Sequence, residues 1–312
     1  MNQVLLDKIF ACPSLPTLPA AALEIIDLCR REDVHMDKLA RTICKDPART
    51  IKVLKTVNSA QYALRNKVTT ISHALVLMGI GTVKTLALSF TLVGALRDVK
   101  GTSYDPSPIW RRSLLSAFAA RSTSLRVGGE DHEEAFLAGL LQDLGVLALI
   151  QVLGSPYVEL LRVTGENSAK LAVLERKHLK LDHAEVGEAL ARKWSLPEEL
   201  LLPIRYHENP DEAPEAGRKT ARIVALGNKA AVPFMSQNAK APLDDFLASA
   251  TLWFQMTEEA ATQILQSAGA AGPQMAELFN LPPCKTEDVG VILAQAQELM
   301  RNLKNGDGEK AA

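Results

Sequence analysis

The chain has 312 residues, 47% hydrophobic and 23% charged, the composition of a folded globular protein and not of a disordered one. Lys and Arg (35) nearly cancel Asp and Glu (36), and the net charge of −1 excludes broad electrostatic capture of nucleic acid or acidic membranes, leaving only local basic patches. Aromatic residues at 5% argue against a β-sandwich and against a base-stacking surface.

The length suits one large domain or two modest ones. The N-terminal MNQVLLDKIFACPSLPTLP mixes acidic and basic residues and lacks the long apolar core of a signal peptide. Cys12, Cys29, Cys44 and Cys284 form no CxxC pair, so they read as reduced core thiols of a cytoplasmic protein. Between Ala20 and Cys29, the apolar residues Ala22, Leu23, Ile26 and Cys29 mark one helix face. Asp46 and Pro47 open a helix as N-cap and first-turn residue, with Ile51, Leu54 and Val57 as its buried stripe. Thr70–Met78 predicts a helix stopped at Gly79, and Gly81-Thr82 open the next. Gly101–Pro108 is a break. A helix then starts at Ser107-Pro108, turns Trp110, Leu114 and Phe118 inward, and closes at Val127-Gly128-Gly129.

Glu133–Gln151 reads as one strongly apolar central helix. Its run Leu144–Leu153 is interrupted by Gln151 and falls short of the about 20 residues that a membrane span needs. Asp182–Trp194 is amphipathic, Pro197 opens a helix to Tyr206, and Asn209–Gly217 is a polar loop. Further helices start near Asp244, Thr257 and Thr286. Val289, Ile292, Leu293, Ala296, Leu299 and Leu303 stripe the last, and Asn305–Ala312 forms a disordered tail. Strand alternation is scarce, so the chain reads as all-α.

Several short motifs follow one another along the chain: Leu15-Pro16-Thr17-Leu18-Pro19, Lys45-Asp46-Pro47, Asn58-Ser59-Ala60-Gln61-Tyr62 and Ile71–Gly79. Trp110 with Ser113, Phe136–Gly145, Asp182–Gly187, Trp194–Pro197 and His207-Glu208-Asn209-Pro210 follow. Together they resemble the HDOD family, a bacterial relative of the HD and HD-GYP phosphohydrolases, from about Leu15 to Pro210. The resemblance implies an N-terminal helical part followed by an HD-like bundle, and a role in signal transduction. HD enzymes hold metal through an early His, a His-Asp pair and a final Asp, with further histidines where two metals bind. Such ligands hold divalent ions that activate water and neutralise a phosphate leaving group.

Carried over by position, that ligand set is largely lost. The early His falls at Arg112, beside Ser113, and a cation there repels a metal. The His-Asp pair reads Gln142-Asp143. His183 persists, the late His-His pair reads Tyr206-His207, and the final Asp falls at Asn228. Asp143 is thus the survivor of the four basic ligands, with His183 and His207 as auxiliaries. A buried Arg112–Asp143 ion pair is the expected replacement. His183 then serves as a hydrogen-bonding core residue, and His207 suits a helix end. The alternative is a weak residual metal site at Asp143, His183 and His207. Asn58 and Ser59 brace their helix end while Tyr62 wedges the next turn; contact with a ligand or peptide is the sharper alternative. Arg65, Lys67, Lys52 and Lys55 read as a solvated face.

The expected fold is a multi-helical bundle. Residues 1–104 form the N-terminal helical part, 105–214 the HD-like bundle, 215–304 a C-terminal helical extension and 305–312 the tail. The expected function is a non-catalytic regulatory module, not an enzyme, with no cofactor, acting in trans on a signalling partner. It binds neither membrane nor nucleic acid in general. The alternatives are a residual metal-dependent phosphohydrolase of nucleotides or cyclic dinucleotides, and a nucleotide sensor whose Arg112 and Lys229 grip phosphate. Whether the terminal stripe packs on its own bundle or forms a homodimer stays open.

Overall fold

The computed structural model describes residues 2–13, 15, 18–29, 35–59, 62, 64–97, 104–129, 132–165, 168–236, 238–281, 290–292 and 294. Among the described residues there are fifteen α-helices, two short 3₁₀ turns and no strand, as the helical periodicity predicts. The N-terminal part holds α1 (Gln3–Ala11), α2 (Ala20–Cys29), α3 (Met36–Cys44), α4 (Pro47–Val57) and α5 (Ile71–Leu96). Helices α2, α3 and α4 pack against α5.

Asp46 caps α4 by accepting from the Arg49 backbone N–H, and Pro47 occupies the first turn. The buried face of α4 is Arg49, Val53, Thr56 and Val57; of the predicted stripe, Val57 is buried and Leu54 half-buried against the core, but Ile51 is not. Ile51 is 55% exposed. Arg49, ion-paired to Asp46 at 3.2 Å, takes an inward position, and its apolar stem extends the i, i+4, i+7, i+8 face. Leu23 on α2 is also exposed, while Ile25 and Leu28 are buried. Cys44 is exposed, which corrects its reading as a core thiol, while Cys12 is half-buried and packs against the core. Within α5, Gly79 has φ +81°, a left-handed conformation open to glycine at little cost, so the chain bends where the sequence placed a stop.

The bundle contains α6 (Ser107–Arg126), α7 (His132–Leu141), α8 (Leu144–Leu153), α9 (Ser155–Thr164), α10 (Ser168–Leu179), α11 (His183–Lys193) and α12 (Glu198–Tyr206). It continues with α13 (Glu215–Ala231), α14 (Lys240–Phe254) and α15 (Glu258–Leu278). Helix α6 is the axis: α7, α13 and α15 all pack along it. Trp110, Leu114 and Phe118 are buried there, and Phe118 meets Phe136 edge-to-face at 5.0 Å. The Asn209–Gly217 stretch is not wholly loop. A 3₁₀ turn at Pro210–Glu212 and the extended Pro214 compress it, so α13 begins at Glu215. Residues 71–96 and 132–153 are apolar and long enough to cross a membrane by composition, but most of each is buried among the other helices.

The predicted helix Glu133–Gln151 is two helices, α7 and α8, broken at Gln142-Asp143. Consecutive residues on an unbroken helix point about 100° apart. The break lets Gln142 and Asp143 reach the same polar cluster. Just beyond it, Gly145 lets α8 meet α11: a Cβ at Gly145 would lie 1.9 Å from the His183 carbonyl oxygen and 2.8 Å from the Gly187 nitrogen. Of the predicted terminal stripe, Ile292 is described and buried. Val289, Leu293, Ala296, Leu299, Leu303 and the tail Asn305–Ala312 lie outside the described residues, as do Pro16, Thr17, Ala60, Gln61 and Cys284.

Candidate functional site

Helix α6 carries Arg112 and Ser116, one turn apart, toward the Gln142-Asp143 break. Arg112 forks onto Asp143, with Nη2 2.9 Å from Oδ1 and Nε donating to Oδ2 at 3.2 Å. Both residues are buried. Ser116 Oγ donates to Gln142 Oε1 (3.1 Å), and Gln142 Nε2 donates to Asn228 Oδ1 (3.0 Å). Asn228 Nδ2 in turn donates to Ser168 Oγ (3.2 Å) and faces Glu208 Oε1 at 3.4 Å. The residues at the lost ligand positions therefore satisfy one another.

A second group lies beside this chain. Asp182 caps α11 in a reciprocal capping box with Glu185, which fixes His183 in the first turn. Both His183 and His207 are buried. His183 Nδ1 lies 2.7 Å from Glu175 Oε2, which also accepts the His183 backbone N–H at 2.9 Å. Tyr157 donates its hydroxyl to the other oxygen of Glu175. His207 Nδ1 lies 2.8 Å from the Ile204 carbonyl. Each Nδ1 thus donates to an oxygen acceptor, which turns both Nε2 atoms toward each other, 3.3 Å apart. Glu208 Oε1 lies 3.4 Å from His207 Nε2 and 3.8 Å from His183 Nε2. Asp143 Oδ1 is 4.0 Å from each Nε2.

Burial opposes every charge in this cluster, and the neighbours decide the outcome. For Asp143, Arg112 and the two imidazoles outweigh burial and hold its carboxyl below the ordinary range. Burial likewise raises Glu208, but hydrogen bonding and charge from His207 bring it to about 2. Burial lowers the His183 imidazole, yet Glu175 on its Nδ1 raises it to about 9.

The predicted positions divide accordingly. Arg112, Gln142, Asp143, His183, His207 and Asn228 are brought together. Tyr206 is not: half-buried on α12, it lies against the Arg205 guanidinium (5.2 Å) and lines a small cleft with Arg176 and Asp182. Asn58, Ser59 and Tyr62 lie at a different junction. Asn58 Nδ2 donates to the Leu54 and Val68 carbonyls (2.7 Å each), and its Oδ1 accepts the Val68 N–H (2.8 Å). The ring of Tyr62 sits under Arg121 at 4.8 Å. Glu175, Glu208, Ser116, Ser168 and Tyr157 are site residues that the sequence reading did not assign. Glu208 stood inside the His207–Pro210 motif, whereas Glu175 and Tyr157 carry no local signal. A cavity of about 740 Å³ opens over His207, Glu208, Asn228, Ser168, Lys229 and Trp253. Lys229 on its wall is paired with Asp245 at 2.5 Å.

An all-helical bundle that gathers Asp143 with residues from the other HD ligand positions defines an HD-like protein. A model of the HDOD domain family matches residues 15–210, and the chain belongs to that family. It is similar to an HDOD domain protein with unknown function from Geobacter sulfurreducens, with TM-score 0.69 and 20% identity, covering 89% of this chain and 96% of that one. A Shewanella amazonensis SB2B structure provisionally named a phosphohydrolase aligns with TM-score 0.62 and 24% identity, over 97% of this chain and 98% of that one. These likenesses establish the fold. An uncharacterised Treponema pallidum (strain Nichols) protein is 28% identical over 215 residues, 69% of this chain and 41% of that protein, so the match spans less than half of that relative's length.

Proposed function

We propose that the chain is a non-catalytic HDOD module of bacterial signal transduction, acting in the cytoplasm and passing on the binding of a protein partner or small ligand. The observation that carries this reading is the internal pairing of the replaced ligand positions. Arg112 forks onto Asp143, and Gln142 and Asn228 bond each other. Guanidinium and amide groups supply neither the anionic charge nor the imidazole donors that hold a hydrolytic metal. Such a metal also needs an open position for its activated water. The cavity over His207 and Asn228 is the natural seat for a small ligand. A phosphate-gripping role is less well supported: Arg112 is engaged by Asp143 and Lys229 by Asp245.

The test is an assay of the purified chain against p-nitrophenyl phosphate and cyclic dinucleotides with Mg²⁺, Mn²⁺ or Fe²⁺ supplied. The expected result is product formation no greater than in protein-free buffer. Turnover that disappears in Asp143→Ala would overturn the proposal.

A further inference from the structure

The C-terminal extension carries a second cleft, which none of the replaced HD positions lines. It encloses about 580 Å³ where the end of α6, the start of α13 and the α14–α15 turn meet. Four cations line it: Arg126, Arg218, Lys219 and Arg222. Arg218 and Arg222 stand one turn apart on α13 and both are half-buried. Arg126 is held by neutral acceptors: Nη1 donates to the Ser122 carbonyl (3.0 Å) and hydroxyl (2.6 Å), and Nη2 to Gln263 Oε1 (3.1 Å). Partial burial lowers this guanidinium, and no carboxylate offsets the effect. Arg218 is likewise anchored on a neutral group, its Nε donating to the Ala213 carbonyl at 3.2 Å, which leaves its two Nη groups for an anion. Lys219 is exposed on the same rim and unpaired among the described residues.

Charge and shape narrow the ligand. Arg222 is already paired with Asp211, whose Oδ1 lies 2.8 Å from Nε and 2.6 Å from Nη2. One carboxylate, Glu215, stands on the rim. Glu258 and Glu259 belong to the first turn of α15, where they complement its dipole. The four cations set against Asp211 and Glu215 leave two positive charges, in a chain whose net charge is −1. A phosphate monoester carries about −1.5 to −2 charges near pH 7, and guanidinium forks match its oxygens. The α14–α15 turn adds half-buried Trp253, Phe254 and Met256 to the lining, an apolar wall with ring faces that suit a stacked planar base. The volume falls within the range of small-molecule sites.

We infer that this cleft binds a nucleoside monophosphate, its phosphate held by Arg126, Arg218 and Lys219 and its base against Trp253 and Phe254. Apart from Arg126 and Val127, the lining falls beyond residues 15–210, the span of the HDOD match. The site is also separate from Arg112 and Lys229, whose charges are taken up by Asp143 and Asp245. The inference rests on the reading of the chain as a binding module and names one ligand of that module. Trp253 lines the cavity over His207 and Asn228 as well, where Lys229 faces its ring at 5.9 Å. One indole therefore borders both spaces and gives a binding event in the cleft a route to the polar core.

The test titrates the full chain with AMP, GMP, CMP and UMP, followed by calorimetry, thermal unfolding and tryptophan fluorescence. Trp110 and Trp194 are buried, so quenching reports Trp253. Adenosine and inorganic phosphate form separate arms. The expected result is saturable binding of at least one nucleotide with Kd below about 1 mM, a rise in Tm and quenched fluorescence. Both arms bind at least about 10-fold more weakly, since each lacks half of the recognised groups. Arg218→Gln and Lys219→Gln, each checked for helicity by circular dichroism, weaken the nucleotide about 10-fold or more. Lys55→Gln, exposed on α4, leaves affinity unchanged. Absence of binding by all four nucleotides overturns the inference. So does phosphate or adenosine binding as tightly as the nucleotides, or full affinity in both cleft variants. Its loss leaves the non-catalytic reading intact, whereas Asp143-dependent hydrolysis sinks that reading and leaves nucleotide binding in the cleft standing.

Discussion

Arg112 and Asp143 each bury a charge that the other compensates. Arg112→Met keeps much of the volume and removes the guanidinium, which leaves Asp143 buried beside Glu208 with its main cation gone. The expected cost is about 3–5 kcal/mol of unfolding free energy, read by urea titration. A loss below about 1 kcal/mol would mean that Asp143 does not depend on Arg112. Asn58 is the corresponding residue of the N-terminal part, closing three bonds to the Leu54 and Val68 backbone. Asn58→Ala strands the Val68 N–H and carbonyl, while the Leu54 carbonyl keeps the backbone N–H of residue 58, and is expected to cost about 1–3 kcal/mol. If the real role of Asn58 were ligand contact alone, stability would not change. At this scale the sequence was informative wherever a motif carried the residue: Arg112, Gln142, Asp143, His183, His207 and Asn228 were all named through the family resemblance. Glu175 and Tyr157 were not. Their partners lie 8 and 18 residues away along the chain, and neither pairing follows a local spacing rule.

At the scale of elements, the crossing of α8 and α11 sets the distance between Asp143 and His183. The backbones touch at Gly145, where a methyl group would meet the His183 carbonyl at 1.9 Å. That contact is backbone, so a flexible side chain cannot yield. Gly145→Ala is therefore expected to destabilise by about 1–3 kcal/mol or more and to widen the His183–Asp143 gap, measurable as a fall in Tm with a changed histidine NMR signature. An unchanged Tm would show that the two helices can part freely. The α7–α8 break was not legible because Phe136–Ile150 is apolar on all sides, with Gln142 and Asp143 as its polar exceptions. Periodicity cannot separate one buried helix from two joined by a two-residue turn. The face of α4 was misread for a related reason: Arg49 turns inward through its pairing with Asp46, and a hydrophobic count cannot see a charged residue doing so.

Across the whole molecule, a balanced composition, pervasive helical spacing and nine ordered motifs were enough to establish an all-α HDOD fold. They also located most of the polar cluster. What escaped was how its members are paired, because hydrogen-bond direction and imidazole orientation arise only once α6, α10, α11, α12 and α13 are assembled. That assembly turns a depleted ligand list into an internally paired polar core. The account's central claim is that this scaffold no longer performs HD hydrolysis. The most direct measurement is the hydrolysis rate of cyclic dinucleotide by protein of verified metal content, wild type beside Asp143→Ala, with Mn²⁺ in excess. The account predicts two rates equal to each other and to the protein-free blank. A wild-type rate above the blank that vanishes in Asp143→Ala would contradict it.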